Sequence, residues 1–381
     1  MKNIIPFISI LIAFYTSYKI IPVVIRIARL KNLVDEPNNR TSHKKAIPTL
    51  GGVGIFIGFA VASLLLASYY FVPEFNSLLL GMLILFFLGI KDDILVLSAK
   101  KKLIGQVIVA FFITFLGDVR LTSFDGILGI YDIPYWPSVL STMFIFIALI
   151  NAVNLIDGID GLASGFGILA ATFFGVDFYL LGHFAWAMLC FAMAGSLMAF
   201  FLYNVFGNTN KIFMGDTGSL VLGLFITTIM LKFININSVS NGPFSIDFAP
   251  VLALSVLVLP IFDTLRVFSI RIANGQSPFH PDKRHIHHLM LRLGFSHKAS
   301  TSILLATNVA LIATCFALQS LPMNYQILVL SSIVFLLIGI LWRLSQKYTH
   351  SNTKENIAKP QKIEEIDQLK DLKNKIFEHM N

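Results

Sequence analysis

Charge is what this sequence has least of. Asp, Glu, Lys and Arg together make up 13% of its 381 residues, about half the roughly 25% usual in soluble globular chains. That scarcity excludes a soluble cytoplasmic enzyme and a disordered protein. A nucleic-acid-binding domain is excluded as well: the pI is about 9.4, but a basic balance acts only through where it sits. Cysteine is nearly missing too. Cys190 and Cys315 both lie inside apolar runs, so they read as core or lipid-facing residues rather than as a disulfide or a metal pair. Apolar residues fill the space: AVILMFWYC account for 56%, with 35 Phe among them, and the mean hydropathy is +0.76.

A helix that spans a bilayer needs about 20 apolar residues at 1.5 Å rise each. Eleven runs qualify as candidates, near 4–25, 51–71, 77–91, 103–118, 137–154, 162–181, 184–205, 217–235, 248–268, 301–320 and 325–345. The run 77–91 is short, and only Leu181-Gly182-His183 separates 162–181 from 184–205. The expected fold is therefore all-α: a polytopic integral membrane protein with about 11 (10–11) transmembrane helices. The first run has no small-residue cleavage site and is followed by Arg26, Arg29 and Lys31, so it reads as a retained anchor.

Lys and Arg set the orientation. Loops after odd-numbered spans hold sixteen of them, from Arg26 to Lys298, whereas loops after even-numbered spans hold Arg120 and Lys232. This predicts odd-following loops in the cytoplasm and the N-terminus outside. Residues 1–345 form one membrane domain on this reading. Residues 346–381 form a charged cytoplasmic tail, in which Ile363, Ile366, Leu369, Leu372 and Ile376 have the spacing of a short amphipathic helix.

Ionisable residues at a membrane are costly and are functional candidates by default. Five segments hold nearly all of them, and the predicted topology puts all five on the cytoplasmic side. The first runs from Asp35 through Arg40 and Lys44 to Pro48-Thr49-Leu50-Gly51-Gly52. The second is Lys91-Asp92-Asp93 followed by Lys100-Lys101-Lys102; its adjacent carboxylates need a cation or a shared proton to coexist, and Mg2+ is the obvious hard cation. The third is Asn151, Asn154, Asp157, Gly158, Asp160 and Gly161. Its first three members share a helix face, and its glycines permit a turn that carries Asp160 back toward them. The fourth, Lys211 to Ser219, puts Asp216 at a helix start, where the dipole favours an anion; the residue fits either an N-cap or a metal ligand. The fifth runs from Asp263 and Arg266 to Arg284-His285-Ile286-His287-His288 and Arg292. Asp263 and Arg266 are spaced to pair. The histidines lack a zinc spacing and, as cations or as neutral donors beside Lys283 and Arg284, fit an anion clamp. His183 and His297 read as ordinary. A transporter would place its polar cluster near the midplane, whereas polar inner ends suit chemistry between a cytosolic anion and a membrane lipid.

These strings closely resemble the polyprenyl-phosphate N-acetylhexosamine-1-phosphate transferases (glycosyltransferase family 4). The matching pieces are Pro48 to Gly52, Asp92-Asp93 with Leu97 to Lys100, Asn151 to Gly161, Phe213 to Ser219, and His285-Ile286-His287-His288, in the family's order over about residues 26 to 300. The resemblance implies that a membrane polyprenyl phosphate attacks the β-phosphorus of a UDP-N-acetylhexosamine. UMP leaves, and Mg2+, or Mn2+ in its place, assists. By resemblance Asp216 is the firmest metal ligand, supported by Asp92, Asp93 or Asn154. Asp92, Asp93, Asp157, Asp160, His287 and His288 are the candidate catalytic residues, with Asp92 positioning or deprotonating the lipid phosphate. Lys44, Thr49, Lys102, Asn151, Asn154, Phe213, Arg284 and His285 are the candidate substrate-binding residues, with Phe213 stacked on uracil.

Two branches share this pattern. Muramoyl-pentapeptide enzymes carry three consecutive histidines and then an acidic residue. Here the string is His285-Ile286-His287-His288-Leu289, and the spacing from Asn204 to Phe213 is longer than in that branch. The histidine string, with Ser277 to Asp282 before it, and the stretch Pro260 to Arg266 resemble the undecaprenyl-phosphate N-acetylglucosaminyl-1-phosphate transferase branch, which starts lipopolysaccharide, teichoic acid or capsule chains in a bacterial cytoplasmic (inner) membrane. The expected partners are a UDP-N-acetylhexosamine, undecaprenyl phosphate and membrane lipids, with a homodimer open and no nucleic acid. The alternatives are a phospho-N-acetylmuramoyl-pentapeptide transferase and a secondary transporter. The transporter would call for inverted repeats, and the acidic motifs have no partner in the other half of the chain.

Overall fold

The computed structural model describes residues 2–35, 46–277 and 284–348. Lys44 and the tail beyond 348 therefore lie outside the described residues. The chain is a bundle of helices: α1 (Ile5–Leu30), α2 (Gly51–Leu66), α3 (Phe75–Leu95), α4 (Ala99–Phe111), α5 (Tyr135–Ile156), α6 (Leu162–Leu180), α7 (Phe184–Phe206), α8 (Gly215–Val239), α9 (Ala249–Val256), α10 (Val258–Ala273), α11 (Ile286–Arg292) and α12 (His297–Ala317). A last helix, α13, covers Met323–Tyr348. Two two-residue strands, β1 (Val34–Asp35) and β2 (Ile47–Pro48), pair antiparallel with Val34 opposite Pro48.

Eight of these helices are long and apolar enough to cross a membrane, and a ninth span results if α9 and α10, bent by 71° at their junction, count as one. The other two of the eleven sequence candidates are also helical. Of these, α4 has only 13 residues, prolonged by a five-residue π-helix at Phe112–Leu116, and α3 carries Lys91, Asp92 and Asp93 near its C-terminal end. The expected break at Leu181-Gly182-His183 is there: Gly182 turns at φ +80 between α6 and α7.

The bundle is organised around α8. Inside its most apolar stretch 83% of residues are buried, against 17% in α13. Helices α2, α3, α5, α6 and α9 all pack on α8. Lipid gives helices no hydrophobic reason to associate, so close backbone approach must do the work. Gly52 shows how: a Cβ there would sit 2.1 Å from Gly218 N, so the heads of α2 and α8 touch backbone to backbone. The outer helices leave Leu328, Phe335, Leu336 and Ile340 of α13 exposed, a surface that needs an apolar solvent.

Candidate active site

The site is built where helix ends meet at one end of the bundle. Phe213 N donates to Pro48 O at 2.8 Å, and Gly51 N and Gly52 N donate to Phe213 O and Met214 O at 2.9 Å each. This pairing lays residues 213–214 along the head of α2. Gly215, at φ +71, then turns the chain into α8. A Cβ on Gly215 would lie 2.1 Å from Thr49 O and 2.6 Å from Asp93 Oδ2, so the turn needs glycine both for its backbone and for space.

Asp93, on α3, caps α8 from outside. Its Oδ1 accepts from Asp216 N at 2.8 Å, and its Oδ2 accepts from Thr217 N at 3.1 Å and Thr217 Oγ1 at 2.6 Å. The first-turn amides that a local N-cap would satisfy are thus held by a remote carboxylate, leaving the Asp216 side chain free for other partners. Lys102 Nζ contacts Asp216 Oδ2 at 2.7 Å and also pairs with Asp92 Oδ2. One ammonium therefore bridges two carboxylates. Asp92, which is buried, takes Leu97 N on its other oxygen at 2.5 Å. Asn154 donates to Asp216 Oδ1 and, at 2.8 Å, to Ser219 Oγ.

The third segment divides its work. Asn151 turns away to Gln106, donating to Oε1 at 2.7 Å, and joins α4 to α5. Residues 157–161 form the expected turn, with Gly161 at φ +78, but it carries Asp160 to a different pair of partners. Lys211 Nζ at 2.6 Å and His297 Nδ1 at 3.0 Å both meet Asp160 Oδ2. Burial works to raise the Asp160 pKa, yet these two bonds hold it below its usual value. Asp157 has no such relief. Burial, then the charges of Asp216, Asp93 and Asp160, push its carboxyl up to about 7.

The histidines differ from the sequence expectation. His285 and His287 are buried, one layer behind the site. Burial and the neighbouring His288 hold His287 neutral, with a pKa of about 3, so of the cationic and neutral donor forms it takes the neutral one. A Cβ on Gly158 would sit 2.1 Å from His287 Nε2; glycine there lets the ring lie against the turn.

All five segments reach one cavity of about 620 Å³. Asp35 and Thr49 come from the first, Asp93 from the second, Asn154, Asp157, Gly158 and Asp160 from the third, Phe213, Gly215 and Asp216 from the fourth, and His288 and Arg292 from the fifth. Asp92 and Lys102 stand behind Asp216, while Asn151, Arg284, His285 and His287 do not line the cavity. Several residues escaped the sequence reading. His297, read as ordinary, lines the cavity beside Asn204. Buried Asn204 accepts from Gly161 N at 2.6 Å and donates to Ile212 O at 2.8 Å, tying the third and fourth segments together. It is polar at the same end of α7 as the other motifs, a signal the sequence carried. Lys211 and Ser219 bound the fourth segment, but nothing local marks their partners.

An all-helical membrane protein with a carboxylate-lined cavity at one end of its bundle is the class that fold and site define. The profile of glycosyl transferase family 4 matches residues 75–234. The chain is 34% identical over 333 residues to a probable undecaprenyl-phosphate N-acetylglucosaminyl 1-phosphate transferase of Bacillus subtilis, covering 87% of this chain and 88% of that one. It is 31% identical over 321 residues to the undecaprenyl-phosphate alpha-N-acetylglucosaminyl 1-phosphate transferase of Escherichia coli O157:H7, covering 82% and 84%. The protein of that name from Yersinia pestis is 30% identical over 342 residues, covering 87% and 91%. The chain belongs to glycosyl transferase family 4.

Proposed function

We propose that the protein transfers N-acetylglucosamine-1-phosphate from UDP-N-acetylglucosamine to undecaprenyl phosphate in a bacterial cytoplasmic membrane. The relatives' names support the acceptor and the transferred group. Within the structure, one observation carries the reading: five segments far apart in sequence supply carboxylates, a carboxamide, a histidine, an arginine and an aromatic ring to a single cavity. Its volume lies in the range of small-ligand sites, about 300–1,000 Å³. On this reading the α3 and α4 helices complete eleven spans, the N-terminus is outside, and the cavity opens to the cytoplasm, as the Lys and Arg bias predicts. Residues 1–345 act as one domain on this reading.

The donor set suits Mg2+. Asp92 Oδ2 and Asp216 Oδ2 already converge on one cation, the Lys102 ammonium, and both are hard oxygen donors. Among the described residues no three Asp, Glu, His or Cys side chains form a metal-holding group by themselves, so substrate phosphate oxygens and water would complete the shell, as is usual for Mg2+. Asp216, Asp92 and Asn154 would hold it. Bound there, the ion would neutralise pyrophosphate charge. Asp93 spends both oxygens on α8 and serves to aim Asp216.

In the reaction an oxygen of the lipid phosphate bonds to the β-phosphorus, the bond from that phosphorus to the α-phosphate bridging oxygen breaks, and UMP leaves with the electron pair. Such chemistry is mostly positioning and charge neutralisation. Lys102 sets the Asp92 and Asp216 carboxylates, and Asp92, from behind Asp216, orients the lipid phosphate through the cation the two carboxylates share. Asn154 fixes Asp216, and Asp157 and Asp160 border the nucleotide, with Phe213 against the uracil. Thr49, His288 and Arg292 face the sugar and phosphates.

The test is UMP release by purified protein in detergent with undecaprenyl phosphate, Mg2+ and UDP-N-acetylglucosamine. Parallel reactions use UDP-N-acetylmuramoyl-pentapeptide, other UDP-N-acetylhexosamines, and EDTA. UMP that requires lipid and metal is expected, with N-acetylglucosamine preferred. No UMP from any donor in folded protein would overturn the reading.

A further inference from the structure

His285 and His287 lie behind the cavity, and one buried carboxylate holds the segment that carries them. Asp263 is 2% exposed and sits on α10, just past the 71° bend that follows α9. Its helical neighbours Leu259, Phe262 and Val267 are buried and apolar. A carboxylate in such a place is costly unless paired and hydrogen-bonded. Asp263 Oδ2 meets His285 Nδ1 at 2.9 Å, and Oδ1 accepts from Ile286 N at 3.0 Å and from Arg266 Nη2 at 2.8 Å. The same Arg266 Nη2 donates to Arg284 O at 2.5 Å. Three successive residues, 284, 285 and 286, are thus tied to one node by a carbonyl, a ring and an amide.

This pattern does more than satisfy a charge. Residue 286 opens α11, and α11 delivers His288 and Arg292 to the cavity wall. The bond to Nδ1 fixes which His285 nitrogen carries the proton. Nε2 of that ring and Nδ1 of His287 are buried, and neither has a hydrogen-bond partner among the described residues. The two rings stack at 5.9 Å and 4°, and His287 rests on Gly158 of the acidic turn.

We propose that Asp263 is a positioning residue: through His285 and the Ile286 amide, with Arg266 as its brace, it latches the start of α11 and so sets the donor-sugar wall of the cavity. The kinetic part of this inference rests on the transferase reading; the structural part does not.

The experiment is hydrogen exchange on substrate-free, full-length Asp263→Asn, with steady-state kinetics beside it. Asn keeps an acceptor for Ile286 N but loses the charge and faces the His285 N–H with a donor. Amides 286–292 should exchange about tenfold faster or more, while α7 and α8 stay unchanged. The KM for UDP-N-acetylglucosamine should rise about tenfold with the lipid KM unmoved. Arg266→Gln, which keeps the carboxylate, should shift the same amides less, and it reads the same latch if Asp263→Asn does not insert. Unchanged exchange at 286–292 in the folded variants would overturn the latch. Faster exchange spread over the whole bundle would overturn it too, by making Asp263 a general stabiliser. Wild-type protein inactive toward every donor would sink the transferase reading while leaving the exchange result to decide the latch.

Discussion

The two ends of α8 both bury charge, and they do it differently. Sixteen residues separate Asp216 from Lys232 on this helix, about 24 Å at 1.5 Å each. At the far end the polar groups pair off. Lys232 pairs with Glu74 and lies over the Trp186 ring at 5.6 Å. Asn237 donates to Asp177 at 3.0 Å and accepts from Ile246 N at 2.9 Å. A cavity of about 440 Å³ adjoins this cluster. At the near end Asp92, Asp93, Asp157, Asp160 and Asp216 crowd round two lysines, Lys102 and Lys211, and one histidine, His297. A one-to-one pair satisfies itself and asks for nothing more. Crowded carboxylates leave a site short of positive charge, which a cation or a substrate's cationic escort can supply. Burial of charge alone therefore does not mark the candidate site in this bundle; the crowding of several carboxylates does.

The sharpest way to break that contrast is Asp216→Asn. Asn keeps the shape and the helix start but removes the charge that Lys102 and Asn154 converge on. UMP release should fall by about 10³-fold or more, with thermal stability in detergent close to wild type. Full turnover would remove Asp216 from the reaction. Next in size is Lys102→Met, which unbridges Asp92 and Asp216. Turnover should drop about 10²-fold, and raising Mg2+ should recover part of it; a loss that Mg2+ does not touch would make Lys102 a substrate ligand instead of a bridge.

A smaller effect tests the imbalance itself. The Asp157 carboxyl is held near 7 by burial and by its acidic neighbours, above its unfolded value of 3.8. The folded protein thus binds that proton more tightly than the unfolded chain does. The stability this adds is full below about 4 and is lost as pH rises through about 7. Metal-free protein should show a melting temperature that declines across this window, and Asp157→Asn should flatten the decline. An unchanged slope in the variant would assign it to another group. The smallest change is expected at the far end. Lys232→Met with Glu74→Gln exchanges a satisfied ion pair for neutral groups, so UMP release should stay within about twofold. A tenfold loss there would end the contrast between the two ends.

Much of the near end was legible because polar residues at the ends of apolar runs have few structural reasons to be there. Asp216 at a helix start, the Asp263–Arg266 pair and the turn at Gly161 follow from spacing alone, and all three stand in the structure. Partners across the bundle did not follow. His297 faces Asp160 from 137 residues away, and Gln106 meets Asn151 across 45; no local pattern encodes either. Nor does spacing show that His287 is buried and neutral, because charge state depends on burial and burial belongs to the packed bundle.

By itself, the sequence determined the solvent this chain needs, its helical class and the five strings that hold its chemistry, because hydropathy and residue spacing act locally. Tertiary structure alone decided that Asp93 caps a helix it does not belong to, that Lys102 bridges Asp92 to Asp216, and that His285 and His287 stand behind the wall rather than in it. Those outcomes hang on how closely helices approach, which glycines such as Gly52 and Gly158 permit but which only the assembled bundle sets.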